Sequence, residues 1–153
     1  MQNTKQKMEQ FAPPTSVEDE QAIRQIVQSL EDAWNAGDSE AWSVHNAEGI
    51  CHTVFNGHFI EGKVAVEAAH HGIFKTIYKD TQQKFTVRWV RFLRPDVAAV
   101  QFDTEMTGKA EILRARPLAV LTKQQERWQI EIFQNTLIMP HPAAANNRSP
   151  ANP

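Results

Sequence analysis

The sequence is poor in the residues that staple or ligate. It carries one cysteine, Cys51, among 153 residues, so an internal disulfide is impossible and a cysteine-built metal cluster is excluded. Apolar Ile50 and Val54 flank that cysteine, which predicts a buried strand thiol behaving as a small hydrophobe. Glycine is scarce, with six residues, and none of them forms a dinucleotide-binding fingerprint. No apolar run approaches the roughly 20 residues that span a bilayer, and residues 1–10 have no apolar export segment. Charge of one sign is missing too. Sixteen Lys and Arg stand against 18 Asp and Glu, a net charge of -2, with no basic stripe to follow a phosphate backbone. The expectation is a cytoplasmic chain with no nucleic-acid partner, no membrane partner, no metal and no cofactor.

What remains is an ordinary globular mixture, 41% hydrophobic and 22% charged, of the size of one domain. A chain of this length buries about two-thirds of its unfolded surface without any staple. Residues 1–15 and 140–153 are polar, proline-bearing or both and read as flexible tails around a domain at 16–139. Ser16 followed by Asp19 has the form of a capping box, with the carboxylate answering free amides. After it Ile23, Ile26, Val27, Leu30, Ala33 and Trp34 recur at helical spacing. Gly37 stops that helix, and Asp38 caps a short second one carrying Trp42.

A hairpin is predicted next. Residues 50–55 are strand-like, Asn56-Gly57 is a strong turn signal, and residues 58–60 return. A third helix runs from Lys63 with Ala65, Val66, Ala69, His70, Ile73, Phe74 and Ile77 on one face. Four strands follow at about 84–93, 97–107, 112–123 and 127–139, separated by turn residues. In the last, simple alternation puts Trp128, Ile130, Ile132 and Gln134 on one face and Glu131, Phe133 and Asn135 on the other. The fold class is α+β, helices segregated to one side of a sheet.

The local phrasing is more specific. Ala33-Trp34-Asn35-Ala36-Gly37-Asp38, Val64-Ala65-Val66, Ala69-His70, Leu93-Arg94-Pro95-Asp96-Val97-Ala98, Arg127-Trp128-Gln129-Ile130 and Phe133-Gln134-Asn135-Thr136 occur in this order. They resemble the nuclear transport factor 2-like superfamily, and within it the SnoaL-like, SgcJ/EcaC-type branch, over residues 17–137. The resemblance implies a cone: three N-terminal helices on a curved, mostly antiparallel sheet around an apolar pocket. In the ketosteroid isomerases of that superfamily a tyrosine, an aspartate and a late-strand acid carry the chemistry. Here the first two positions fall on about Leu30 and Val54, and residues 112–125 contain no Asp or Glu. Their mechanism is not expected to transfer.

The candidate ligand-binding residues are Trp34, Trp42, Phe55, His70, Phe74, Tyr78, Trp89 and Gln134. His70 lies inside an apolar helical stripe, so its imidazole needs a partner, either a ligand or a group of the strands. With an ordinary pKa of about 6.5 it suits acid-base work. Gln134 interrupts an apolar strand face, and the resemblance implies that it converges on His70. Asp103, with Gln101 and Glu105, becomes a desolvated base if that face turns inward; turned outward, the row pairs with Arg114 and Arg116. Candidate catalytic residues are thus His70 and Asp103. His45, His52 and His58 complete no metal set. Two functions follow: a pocket protein acting by proton transfer on an apolar or aromatic ligand (isomerase, cyclase or dehydratase), or a non-catalytic association module. A homodimer through the sheet face, carrying Phe92 and Phe133, is compatible with both.

Overall fold

Ser16 and Gly37 bracket the first helix, α1 (Val17–Ala36). The computed structural model describes residues 16–139; both expected tails lie outside the described residues. Ser16 Oγ accepts from the Asp19 amide at 3.2 Å. Gly37, at φ 65°, takes the left-handed conformation that needs no Cβ and returns its amide to the Trp34 carbonyl at 2.9 Å. The Asp19 carboxylate is used elsewhere than the capping box predicts. It accepts from Trp128 Nε1 at 2.8 Å and from Lys123 Nζ at 2.9 Å, fastening the helix start to the last hairpin. Desolvation opposes its charge, but those hydrogen bonds prevail and hold the carboxyl below its ordinary pKa. The predicted stripe from Ile23 to Trp34 is buried. Asp38 caps α2 (Ser39–Ser43) by accepting from the Ala41 amide at 2.9 Å, and α2 buries Trp42.

The hairpin joins β1 (Asn46–Thr53) to β2 (Phe59–Glu61). Its loop is one residue longer than a two-residue Asn-Gly turn. The Val54 carbonyl accepts from Gly57 at 2.8 Å, the Val54 amide donates to His58, and Gly57 sits at φ 88°. Next comes α3 (Lys63–Lys75), which buries Val66, His70 and Phe74. Ala65 and Ile77, assigned to the same face, are exposed, Ile77 because the helix has already ended.

The remaining strands are β3 (Gln82–Arg94), β4 (Val97–Thr107), β5 (Leu113–Ala115), β6 (Leu118–Gln124) and β7 (Arg127–Gln134). The predicted strand at 112–123 is two strands, with Arg116-Pro117 between them; proline cannot donate to a ladder. The sheet has seven strands in the order β2-β1-β7-β6-β4-β3, with β5 on β4. All neighbours are antiparallel except β1 with β7. Register shifts leave Arg88 and Leu93 in β3 and Glu131 in β7 without a cross-strand partner. Such bulges bend a strand and sharpen its twist, which curves the sheet around the helices.

The core lies between helices and sheet, with Ile23, Leu30, Val66, Phe102, Leu121 and Ile130 fully buried. No helix among the described residues is long and apolar enough to cross a membrane.

Candidate functional site

The helices do not fill the cone. A cavity of about 240 Å³ remains, walled by Trp34 of α1, Trp42 of α2, His52 of β1, His70 of α3 and Phe133 of β7. Phe55 of the hairpin loop and Tyr78 after α3 also line it. No Asp, Glu, Lys or Arg does. The wall is therefore mainly apolar and aromatic, with a few polar groups, the ordinary composition of a small-molecule site.

Three of those groups are histidines: His58 of the hairpin, which is exposed, and the buried His52 and His70. His70 is 6% exposed, and its Nδ1 meets the Val66 carbonyl of its own helix at 2.8 Å. The ring stacks on Trp42 at 4.7 Å between centroids and has its edge toward Trp34 and Phe74. His52 is 5% exposed and stacks on Phe133 at 4.8 Å, nearly parallel at 6°. The two imidazoles stand at right angles with centroids 5.6 Å apart. Burial lowers both: His52 to about 3, helped by the neighbouring His70, and His70 to about 4, against the opposing pull of the Val66 bond. Both are neutral near pH 7. Burial also pushes the Tyr78 hydroxyl up.

Of the predicted site residues, Trp34, Trp42, Phe55, His70 and Tyr78 meet at this cavity. Phe74 stands behind it, edge-on to Trp34 at 5.0 Å. Trp89 and Gln134 are on the other face of the sheet, and one physical cause accounts for both. Alternation from Phe85 and Val87 points Trp89 inward, but Arg88 is the extra residue of a bulge, so Val87 pairs with Phe102 and Trp89 with Gln101. Trp89 is consequently 38% exposed and bonds Gln101 Oε1. In β7 the bulge at Glu131 does the same: Leu121 pairs with Ile130 but adjacent Val120 with Ile132. Ile132 and Gln134 turn out, while Phe133 and Asn135 turn into the cavity. The polar group expected from Gln134 is supplied by Asn135, whose Oδ1 is buried with no protein partner.

Asp103 is no pocket base. It lies on the outer face, bonded to Arg116 Nε at 2.6 Å and Arg88 Nη1 at 3.1 Å, and these bonds, Arg116 first, hold its pKa below the ordinary value. Phe92 and Phe133, assigned to the outer face, both turn inward: Phe92 lies edge-on to Trp128, and Phe133 is buried. Cys51 is half-buried on the outer side rather than in the core. His52 went unrecognised in sequence, although its alternation with Ile50 and Val54 was the available signal. No three His, Cys, Asp or Glu among the described residues are placed to hold a metal.

No protein-family model and no curated relative matches the chain. Solved structures do. A domain of unknown function with a cystatin-like fold from Nostoc punctiforme is 30% identical, over 86% of this chain and 84% of that one, with a TM-score of 0.79. An NTF-2-like protein of unknown function from Shewanella oneidensis is 22% identical over 77% and 98%, TM-score 0.70. A ketosteroid isomerase-like protein from Erwinia carotovora is 19% identical over 82% and 100%, TM-score 0.69. The order of the elements, the curved open sheet and these likenesses agree: the chain has the cystatin-like, nuclear transport factor 2-like fold.

Proposed function

We propose that the protein binds a small apolar or aromatic molecule in this cavity and moves protons on it, as an isomerase, cyclase or dehydratase does. The observation that carries the reading is the pair of buried, neutral imidazoles, His52 and His70, set edge to face side by side in the wall of an aromatic cavity. A neutral imidazole holds one lone pair and one N–H, so one ring takes a proton from the ligand while the other returns one. The wall offers no countercharge, so a proton removed alone would leave an unpaired charge, which is expensive in an apolar site. Removal and return are therefore coupled. In a dehydration the base takes a C–H proton, its electron pair becomes the new double bond, the acid protonates the departing hydroxyl as water, and the proton then passes from the imidazolium to the imidazolate beside it, restoring two neutral rings.

The neighbour named ketosteroid isomerase-like supports proton chemistry on this fold, with a histidine pair here in place of a carboxylate base. The ordered phrases from Ala33-Trp34 to Phe133-Gln134-Asn135-Thr136 favour the SnoaL-like, SgcJ/EcaC-type branch. Deuterium wash-in tests the reading: cyclic ketones that bind are followed in D₂O for exchange next to the carbonyl. The wild type is expected to accelerate exchange, and His52→Ala and His70→Ala to lose about 10²- to 10⁴-fold of it. Ketones that bind without any acceleration would remove the proton-transfer role and leave a binding protein.

A further inference from the structure

We propose that the ligand is an uncharged molecule of about one substituted ring that donates a hydroxyl or amide hydrogen to His70 Nε2. This deepens the reading above and rests on its cavity being a ligand site.

The polarity of His70 is fixed by its own helix. A carbonyl oxygen carries no proton, so the 2.8 Å contact between Nδ1 and the Val66 carbonyl requires the ring proton on Nδ1. The neutral ring then presents a bare lone pair at Nε2. His70 is 6% exposed and lines the cavity, and no group among the described residues bonds that nitrogen. The fully buried side-chain atoms without a partner among the described residues are Ser43 Oγ, Asn46 Nδ2 and Asn135 Oδ1, so Nε2 is not sealed in the core but open to the cavity, where its lone pair favours a donor on the ligand over a second acceptor. His52 has no such constraint. Neither of its ring nitrogens is bonded among the described residues, and either can carry the proton. One imidazole is a fixed acceptor, its neighbour an adaptable one.

Charge and size narrow the class further. With no Asp, Glu, Lys or Arg in the wall, an ion in the buried part of the cavity would lose water and find no carboxylate, ammonium or guanidinium to pair with. A volume near 240 Å³ exceeds the roughly 150 Å³ of an apolar cavity that takes benzene, leaving room for one ring and its substituents.

The test uses the full chain, labelled with ¹⁵N-histidine, and three matched probes at pH 7: toluene, phenol and benzoate. Long-range ¹H–¹⁵N spectra are expected to show the Nδ1–H tautomer at His70. Phenol should bind and move the Nε2 resonance, toluene should bind and leave it in place, and benzoate should bind roughly a hundredfold more weakly than phenol. In His70→Phe the preference for phenol over toluene should fall roughly tenfold, the worth of one hydrogen bond. Should that variant fail to fold, the wild-type spectra still decide. An Nε2–H tautomer, phenol bound with Nε2 unmoved, or benzoate bound as tightly as phenol overturns the inference while the cavity remains a ligand site. Failure of all three probes to bind removes the cavity reading and the inference with it.

Discussion

At the scale of the residue, burying two neutral imidazoles makes stability depend on pH in one direction. In the folded chain His52 and His70 hold pKa values of about 3 and about 4, both lowered chiefly by burial, against about 6.5 when unfolded. Below pH 6.5 the unfolded chain takes up protons that the folded chain refuses, so stability falls with pH until the folded pKa values are reached. Between pH 7 and pH 5 each histidine should remove about 2 kcal/mol. Urea unfolding at the two pH values is expected to show a drop smaller by about that amount in His52→Gln and in His70→Gln, whatever either variant does to stability at pH 7. An unchanged drop would mean that the rings are not buried neutral. His70 could be singled out in sequence because a polar ring broke a helical stripe. His52 carried a weaker signal, its alternation with Ile50 and Val54, because in a short hairpin strand Cys51 and Thr53 could equally well have faced inward.

At the scale of the element, α1 does more than cover the core. It closes the open edge of β3, the terminal strand of the sheet. Asn35 donates from Nδ2 to the Gln83 carbonyl at 2.9 Å and accepts from the Gln83 amide at 2.7 Å, standing in for a missing strand. One turn earlier, buried Glu31 accepts from the Phe85 amide, with Gln28 at 3.2 Å and Lys84 at 3.7 Å around it. Helical spacing of four thus meets strand spacing of two. Glu31→Ala leaves the Phe85 amide unpaired and should cost about 1 to 3 kcal/mol. Glu31→Gln keeps an acceptor and should cost clearly less, with faster hydrogen exchange at Phe85 confined to the alanine variant. The helices were legible because their caps are local: Ser16, Gly37 and Asp38 each act within four residues. Strands were legible in order, save that the one expected at 112–123 is two, but not in facing. A bulge at Arg88 or Glu131 is set by how the whole sheet must bend, which no window of β3 or β7 records, and each bulge reversed the residues beyond it. That reversal moved Trp89 and Gln134 out of the site and brought Phe133 and Asn135 into it.

At the scale of the whole molecule, the outer face of the sheet is the surface left over once the helices have taken the inner one. The register lines up Arg91, Ala99, Val120, Ile132, Cys51 and Glu61 as one row across six strands. Its centre is apolar, with Ile132 45% exposed, and its ends are charged. The neighbouring row sets Trp89, Gln101, Leu118, Gln134 and Thr53 side by side. An apolar centre inside a polar rim is the anatomy of a protein interface, and a two-fold axis lets one such face meet its copy without leaving an open end. We propose a homodimer through this face, held by Val120, Ile132 and Leu118 rather than by Phe92 and Phe133, which serve the core. Light scattering at high micromolar concentration should report a dimer for the wild type. Ile132→Lys should report a monomer, because it places a like-charged pair at the centre of the joined faces. The cavity opens on the opposite side of the sheet, so that variant should keep the wild-type affinity for phenol. A wild type that stays monomeric would leave this face as plain solvent-exposed sheet, and loss of phenol binding in Ile132→Lys would show that the two faces are not independent.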